Sequence, residues 1–174
     1  MLARNSVYNE TIDPLGLDPL PIETRSRLLR FSLGQDSALL PLEQIAEIIR
    51  VNLTETMPVP EMPECVLGIG NWRGEMLWLV DLNHLVGYPS LSDLKALSPV
   101  AIVVQSNEGS VGLVVQQVDD IELHDLQQLQ KVAPGFCLRT LLPFVLGVVL
   151  EDYSTVLDVT AITQCPLWQI HQKV

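Results

Sequence analysis

The chain has 174 residues, of which 48% are hydrophobic, so it can form one ordinary domain or two small β units around a shared core. Its formal net charge of −11 argues against nucleic acid and anionic lipid as partners, because both need a concentrated basic surface. The longest apolar run, at 141–150, is broken by Pro143 and Gly147 and is too short to span a bilayer. With no export signal recognisable at the start, we expect a cytoplasmic protein that does not insert into membranes.

The two ends of the chain differ in character from its middle. Residues 1–26 hold several prolines and acids without hydrophobic periodicity, which predicts a flexible N-terminal extension. We place the folded domain at 27–165 and a C-terminal tail at 166–174. The three cysteines are far apart and form no CxxC pair, which favours buried, unreactive thiols in a reducing compartment. They are Cys65, Cys137 and Cys165.

Short apolar runs separated by polar turns predict β-hairpins in the first half. The predicted strands are 28–33, 38–42, 66–72 and 76–80. Gly34 and Gly74 lie in the turns between them, where a glycine permits a tight reversal. Residues 44–51 suggest a helical turn that runs into a strand. The three prolines within 56–63 predict an extended connector, and Asp81 is placed to cap a short helix at 82–86.

The second half repeats this character. Its predicted strands are 100–105, 111–115, 118–123, 146–150 and 154–157, with turns at 107–109 and 151–153. Asp158 is placed to cap a last short helix. Strands at short spacing with few helical patterns favour an all-β fold of small barrels or a sandwich. We expect two subdomains packed side by side, with a division near residues 87–98.

No group of residues forms a recognisable catalytic or metal-binding motif. The three histidines, His84, His124 and His171, are isolated from one another in sequence. Asp119, Asp120 and Glu122 form a small acidic cluster, which could serve acid–base chemistry or calcium binding. Adjacent strand residues point to opposite faces, so a solvated acidic edge is the favoured interpretation. We therefore expect no enzymatic activity, no cofactor and no metal.

The stretch Asn71-Trp72-Arg73-Gly74 places a large aromatic side chain and a guanidinium side by side at a predicted turn. Trp and Arg are enriched at the energetic centres of protein interfaces, which gives one interpretation. In the other, Trp72 is a core residue, and Arg73 caps the turn or pairs with an acid such as Glu47. The spacing does not decide between them.

Three groups of residues, in order along the chain, carry a family resemblance. The first is LRFSLG at 29–34 with IAEII at 45–49, and the second is MPVP at 57–60, GIGNWRG at 68–74 and VDL at 80–82. The third is VGLVV at 111–115, LGV at 146–148 and VLDV at 156–159. Together they resemble the CheW-type coupling proteins of bacterial chemotaxis-like signalling arrays.

The resemblance implies a fold of two small five-stranded SH3-like barrels with short helices. It also implies a non-catalytic adaptor that couples methyl-accepting receptors, at their cytoplasmic tips, to the regulatory domain of a CheA-type histidine kinase. The pathway could be chemotaxis, phototaxis or type IV pilus twitching motility. The kinase contact would lie mainly on the second half, without a named residue. The implied receptor groove consists of Ile45, Glu47, Gly68, Asn71, Arg73 and Gly74.

Four positions depart from the family pattern. Trp72 stands where an aliphatic residue is usual and Trp78 where proline is common, while Ala38 replaces an aromatic residue and Gln116 an aspartate. The alternatives are therefore a diverged CheW-like interaction module with other signalling partners, or a small β-barrel ligand binder.

Overall fold

The computed structural model describes residues 23–92, 98–106, 109–133 and 135–165. Within these residues the chain forms ten strands and two short α-helices. The strands are β1 (Ser26–Leu33), β2 (Asp36–Pro41), β3 (Ile45–Arg50), β4 (Val66–Trp72), β5 (Glu75–Asp81), β6 (Val100–Ser106), β7 (Gly109–Val115), β8 (Val118–His124), β9 (Val145–Val148) and β10 (Thr155–Leu157). The helices are α1 (Leu82–Leu85) and α2 (Val159–Thr163).

The strands form two five-stranded sheets. The first sheet has the order β8-β1-β2-β10-β9, and the second has the order β3-β6-β7-β5-β4. Neighbouring strands are antiparallel except for the pairs β2–β10 and β5–β7, which are parallel. The prediction of an all-β fold with two small five-stranded subdomains is confirmed.

The two sheets do not divide the chain near residues 87–98, where its hairpin pattern predicts the division. Strands β6 and β7 follow that point but join β3, β4 and β5, whereas β8, β9 and β10 return to β1 and β2. The reason is long-range pairing: Ser26 at the start of β1 lies opposite His124 at the end of β8. A pattern of local hairpins carries no information on such a pairing.

Apolar side chains fill three layers. A shared core lies between the sheets and takes Leu29 and Phe31 from β1 together with Ile102 and Leu113 from β6 and β7. A smaller core on the far side of the second sheet contains Trp72, Leu77, Leu79, Leu91, Ala101, Val103 and Val114. A third, on the far side of the first sheet, contains Leu28, Leu39, Val149 and Val156. Strands such as β6 are buried on both faces, which explains their continuous apolar runs.

Two aspartates begin the short helices as predicted. The backbone N–H of His84 donates to Asp81 Oδ1 at 3.1 Å, and that of Ala161 donates to Asp158 Oδ1 at 3.2 Å. Asp81 is buried, and its other oxygen accepts from the backbone N–H of Leu91 at 2.9 Å. One carboxylate thus caps α1 and holds the segment that follows it.

Burial of the thiols is confirmed for Cys65 and Cys165, whereas Cys137 is half-buried. Burial raises the pKa of the Cys65 thiol to about 11, so this thiol is protonated at neutral pH. The N-terminal extension up to residue 22, the C-terminal tail, His171 and most of the turn at 107–109 lie outside the described residues. No helix in the described part of the chain is long and apolar enough to cross a membrane.

The acidic cluster on β8 is not a uniform solvated edge. Asp119 and Asp120 are exposed, but Glu122 turns inward and forms an ion pair with Arg30 of β1. Arg30 Nη2 donates to Glu122 Oε1 at 3.0 Å and to Asp152 Oδ2 at 2.7 Å. The interpretation of Glu122 as part of an exposed edge is therefore wrong. The local sequence could not indicate the ion pair, because the partner lies 92 positions away.

The Arg30–Glu122 pair predicts a pH-dependent stability. Hydrogen bonds from Arg30 lower the pKa of Glu122 to about 2 from its usual 4.5, against an opposing effect of burial. The ionised carboxylate therefore stabilises the fold above about pH 4.5, and this contribution disappears as the pH falls towards 2. We expect Glu122→Gln to lower the free energy of unfolding at pH 7 by about 1–2 kcal/mol.

Urea unfolding of the wild type and Glu122→Gln between pH 2 and 7 measures this difference, which should shrink below about pH 4.5. Asp120→Asn is the matched control on the exposed part of β8 and should have little effect. A difference that is constant across the pH range would contradict the assigned pair.

Candidate protein-interaction site

The turn between β4 and β5 presents Arg73 to solvent. Trp72 and Glu75 form the last pair of the ladder, so Arg73 and Gly74 alone make the connection. Their φ angles are 53° and 78°, and two positive φ values in a two-residue hairpin loop are the mark of a type I′ turn. Asn71 Oδ1 accepts from the backbone N–H of Gly74 at 3.1 Å. Residues of the turn itself therefore fix its conformation, and Arg73 lies at its tip.

Trp72 lies at the edge of the core on the far side of the second sheet. Its side chain is buried, with 5% of the residue exposed. The indole Nε1–H donates to Glu47 Oε2 at 2.6 Å. Glu47 belongs to β3 and Trp72 to β4, the two outer strands of this sheet. The hydrogen bond therefore joins the two edges and curls the sheet towards a closed barrel.

Arg73 packs on the same pair. Its guanidinium carbon lies 4.7 Å from the Trp72 ring centroid, and its Nη2 lies 3.4 Å from Glu47 Oε2. The Arg73 and Glu47 side chains are 65% and 40% exposed, so both remain accessible. We call these three residues the Trp72 cluster. Trp72 is a core residue and Arg73 pairs with Glu47, in agreement with one of the two interpretations of this stretch. The other interpretation, that the stretch is a protein interface, stays a prediction.

Gly68 of β4 has a structural task. Its φ angle is 143°, and an added Cβ would lie 2.2 Å from the carbonyl oxygen of Met57. Met57 and Ile69 exchange two backbone hydrogen bonds, of 3.0 and 2.8 Å. The missing side chain at Gly68 allows the proline-rich connector to lie against β4, next to the residues that lead into the Arg73 turn.

Ile45 does not lie on the same face of β3 as Glu47. The ladder between β3 and β6 shifts register between Ile45 and Glu47, so these residues do not share a face as strict alternation would require. Ile45 packs against the shared core and lines a groove of about 420 Å³ together with Val159 and Thr160 of α2. Of the six predicted site residues, the structure brings together Glu47, Asn71, Arg73 and Gly74.

A second surface has no signal in the sequence analysis. A cleft of about 590 Å³ lies between the start of β2, the segment 135–141 and the turn that joins β9 to β10. The rings of Phe136 and Tyr153 stand 5.9 Å apart at this cleft, and both are exposed, as is Leu138. We call it the Phe136 cleft. Its residues come from loops, where hydrophobic periodicity gives no guidance.

The described residues contain no group of three or more His, Cys, Asp or Glu side chains that could hold a metal ion. The core shared by two five-stranded sheets and the interleaved strand order define an all-β domain of two small subdomains. Residues 27–165 match the CheW-like domain family. The chain belongs to this family, whose members are chemotaxis adaptor, or scaffold, proteins.

One similar protein supports this assignment, and one similar solved structure supports the fold. The chemotaxis protein CheW of Rhizobium meliloti (strain 1021) is 32% identical over 116 residues, which cover 63% of this chain and 70% of that protein. The crystal structure of the scaffolding protein TtCheW from Thermoanaerobacter tengcongensis superimposes with a TM-score of 0.63 at 24% identity. That match covers 76% of this chain and 87% of the other, and it supports the fold.

Gly68→Ala should destabilise the fold through its clash with Met57. Gly109→Ala is the matched control, because Gly109 has a similar φ of 137° but no heavy atom of the described residues within 4 Å of an added Cβ. We expect a loss of about 2–4 kcal/mol for Gly68→Ala and about 1 kcal/mol for the control. Urea unfolding measures both, and equal losses would show that the contact with Met57 has no part in the effect.

Proposed function

We propose that this chain is a non-catalytic adaptor that couples methyl-accepting chemotaxis-type receptors to a CheA-type histidine kinase. Family membership supports the class, and the exposed, preset Arg73 turn is the single observation that carries the proposal. The protein would work in the cytoplasm and be recruited to membrane receptor arrays. The pathway could be chemotaxis, phototaxis or twitching motility.

The receptor surface is centred on the Trp72 cluster. Arginine is one of the residue types enriched at the energetic centres of protein interfaces. Arg73 is 65% exposed but already rests on the Trp72 ring, so less conformational entropy is lost when a partner binds. Asn71 and Gly74 keep the turn in place, and the groove at Ile45 would extend the contact towards α2.

The Phe136 cleft is suited to the kinase contact. Most of its lining residues come from the second half of the chain, and it lies beside the first sheet, whereas the Trp72 cluster belongs to the second sheet. Exposed aromatic rings are enriched in protein interfaces. Two surfaces on different sheets allow both partners to bind at once, and binding both raises their effective concentration for each other. Kinase control then follows from the receptor state that the complex favours, so the adaptor needs no chemistry of its own.

Arg73→Glu should weaken binding of a receptor cytoplasmic tip by about tenfold or more, because the reversed charge faces Glu47 and the partner. Binding of the kinase regulatory domain should not change. Titration calorimetry with each partner measures both affinities. Arg27→Glu, an exposed charge reversal on β1, is the control and should leave both unchanged. Full receptor affinity of Arg73→Glu would count against this surface.

Phe136→Ser should have the opposite selectivity. We expect it to lower kinase affinity by about tenfold or more, since an exposed ring is lost from the cleft, and to preserve receptor binding. Leu123→Ser on β8 is the control with a similar exposed fraction, 43% against 45% for Phe136. A folded wild-type protein that retains neither partner would instead support a diverged CheW-like module with other signalling partners.

A further inference from the structure

We propose that Trp72 is a positioning residue, which fixes Glu47 and Arg73 in the orientation that a partner meets. The proposal rests on the proposed receptor surface and adds the residue that determines its geometry.

The geometry separates the two contacts of the indole. The ring edge donates from Nε1 to Glu47 Oε2 at 2.6 Å, while the ring face lies under the guanidinium of Arg73 at 4.7 Å. Glu47 Oε2 is also the oxygen 3.4 Å from Arg73 Nη2. The three side chains thus form a closed triangle, in which each member contacts the other two.

Trp72 is the rigid member of this triangle. It is 5% exposed and packs in the same core as Leu77 and Leu79, whereas Glu47 and Arg73 are long side chains with exposed ends. An exposed ion pair alone holds its partners weakly. A buried indole that supplies both a donor and a π face adds a charge-assisted hydrogen bond and a cation–π contact. An aliphatic side chain supplies neither.

The preset orientation also indicates the chemistry of the partner group. Arg73 has five N–H donors in a planar fork, and within the described residues its ion-pair partner is Glu47, through Nη2. The remaining donors suit a carboxylate, which an arginine can bind in a bidentate manner. We therefore assign to this surface a receptor segment that brings an Asp or Glu side chain to Arg73.

Trp72→Phe tests the proposal, because it keeps an aromatic face under Arg73 and removes the N–H donor. We expect the affinity for the receptor cytoplasmic tip to fall about threefold to tenfold, the cost of ordering Glu47 and Arg73 at the moment of binding. In a Glu47→Ala background the same substitution should have no further effect. A residue that acts only through the core would give equal losses in both backgrounds.

Trp78→Phe is the matched control, since Trp78 is also buried in the second sheet. It should leave receptor affinity unchanged. A charge-removing change in the partner, from Asp or Glu to Asn or Gln at the contact, should abolish the difference between wild type and Trp72→Phe. Persistence of that difference with every such partner variant would overturn the carboxylate assignment.

A partner-free measurement examines the triangle itself. The indole N–H signal of Trp72, assigned by its loss in Trp72→Phe, should exchange slowly with solvent in the wild type because it is hydrogen-bonded. Glu47→Ala should shift this signal and speed its exchange, whereas Glu43→Ala, on the 3-10 turn before β3, should not. If Glu47→Ala changes neither the position nor the exchange rate of the indole signal, the proposal is overturned.

The outcomes separate this proposal from the proposed function. If Arg73→Glu weakens receptor binding and Trp72→Phe does not, the receptor surface stands and the positioning role of Trp72 is wrong. If the indole signal responds to Glu47→Ala but the wild type does not bind receptor tips, the triangle of side chains exists. The proposed receptor function is then wrong, and so is the positioning role of Trp72 in receptor binding.

Discussion

The shared core between the two sheets is the constraint on which the rest of the molecule depends. Leu29 and Phe31 of β1 face Ile102 and Leu113 of β6 and β7 across this core, so neither sheet is a free-standing unit. Burial of that apolar surface is the main favourable term in folding. Because the core is closely packed, a displacement of one sheet is transmitted to the other. The Trp72 cluster and the Phe136 cleft are therefore held on one shared core, as the proposed binding of two partners requires.

Local features of the fold could be predicted from sequence, and long-range ones could not. The hairpins around Gly34 and Gly74 and the caps at Asp81 and Asp158 each involve residues a few positions apart, and the chain adopts them as expected. The return of β8 to β1 depends on partners about a hundred residues apart. The same separation hid the role of Glu122, whose ion pair with Arg30 crosses that ladder and gave no local pattern.

The candidate site divides in a similar way. The Asn71–Gly74 turn is readable because glycine and asparagine favour its backbone geometry. Glu47 was expected both as a possible partner of Arg73 and through the family resemblance. The register shift beside it explains why Ile45 faces a different groove. The sequence alone could not decide whether Trp72 is a core residue or an interface residue. In the structure the indole packs in the core, while its N–H edge contacts Glu47 and its face contacts Arg73. Phe136 gave no signal, since exposed loop residues follow no periodicity.

The interleaved strand order has a consequence for how the chain folds during synthesis. All five strands of the second sheet lie in one continuous stretch, from Ile45 to Val115, and can pair as soon as that stretch has left the ribosome. The hairpin of β1 and β2 is made first, but Leu28 and Leu39 on its far face stay uncovered until the late segment that contains Val149 and Val156 emerges. Loop closure over such a separation is slow, so the early hairpin is the part of the nascent chain most in need of protection from aggregation.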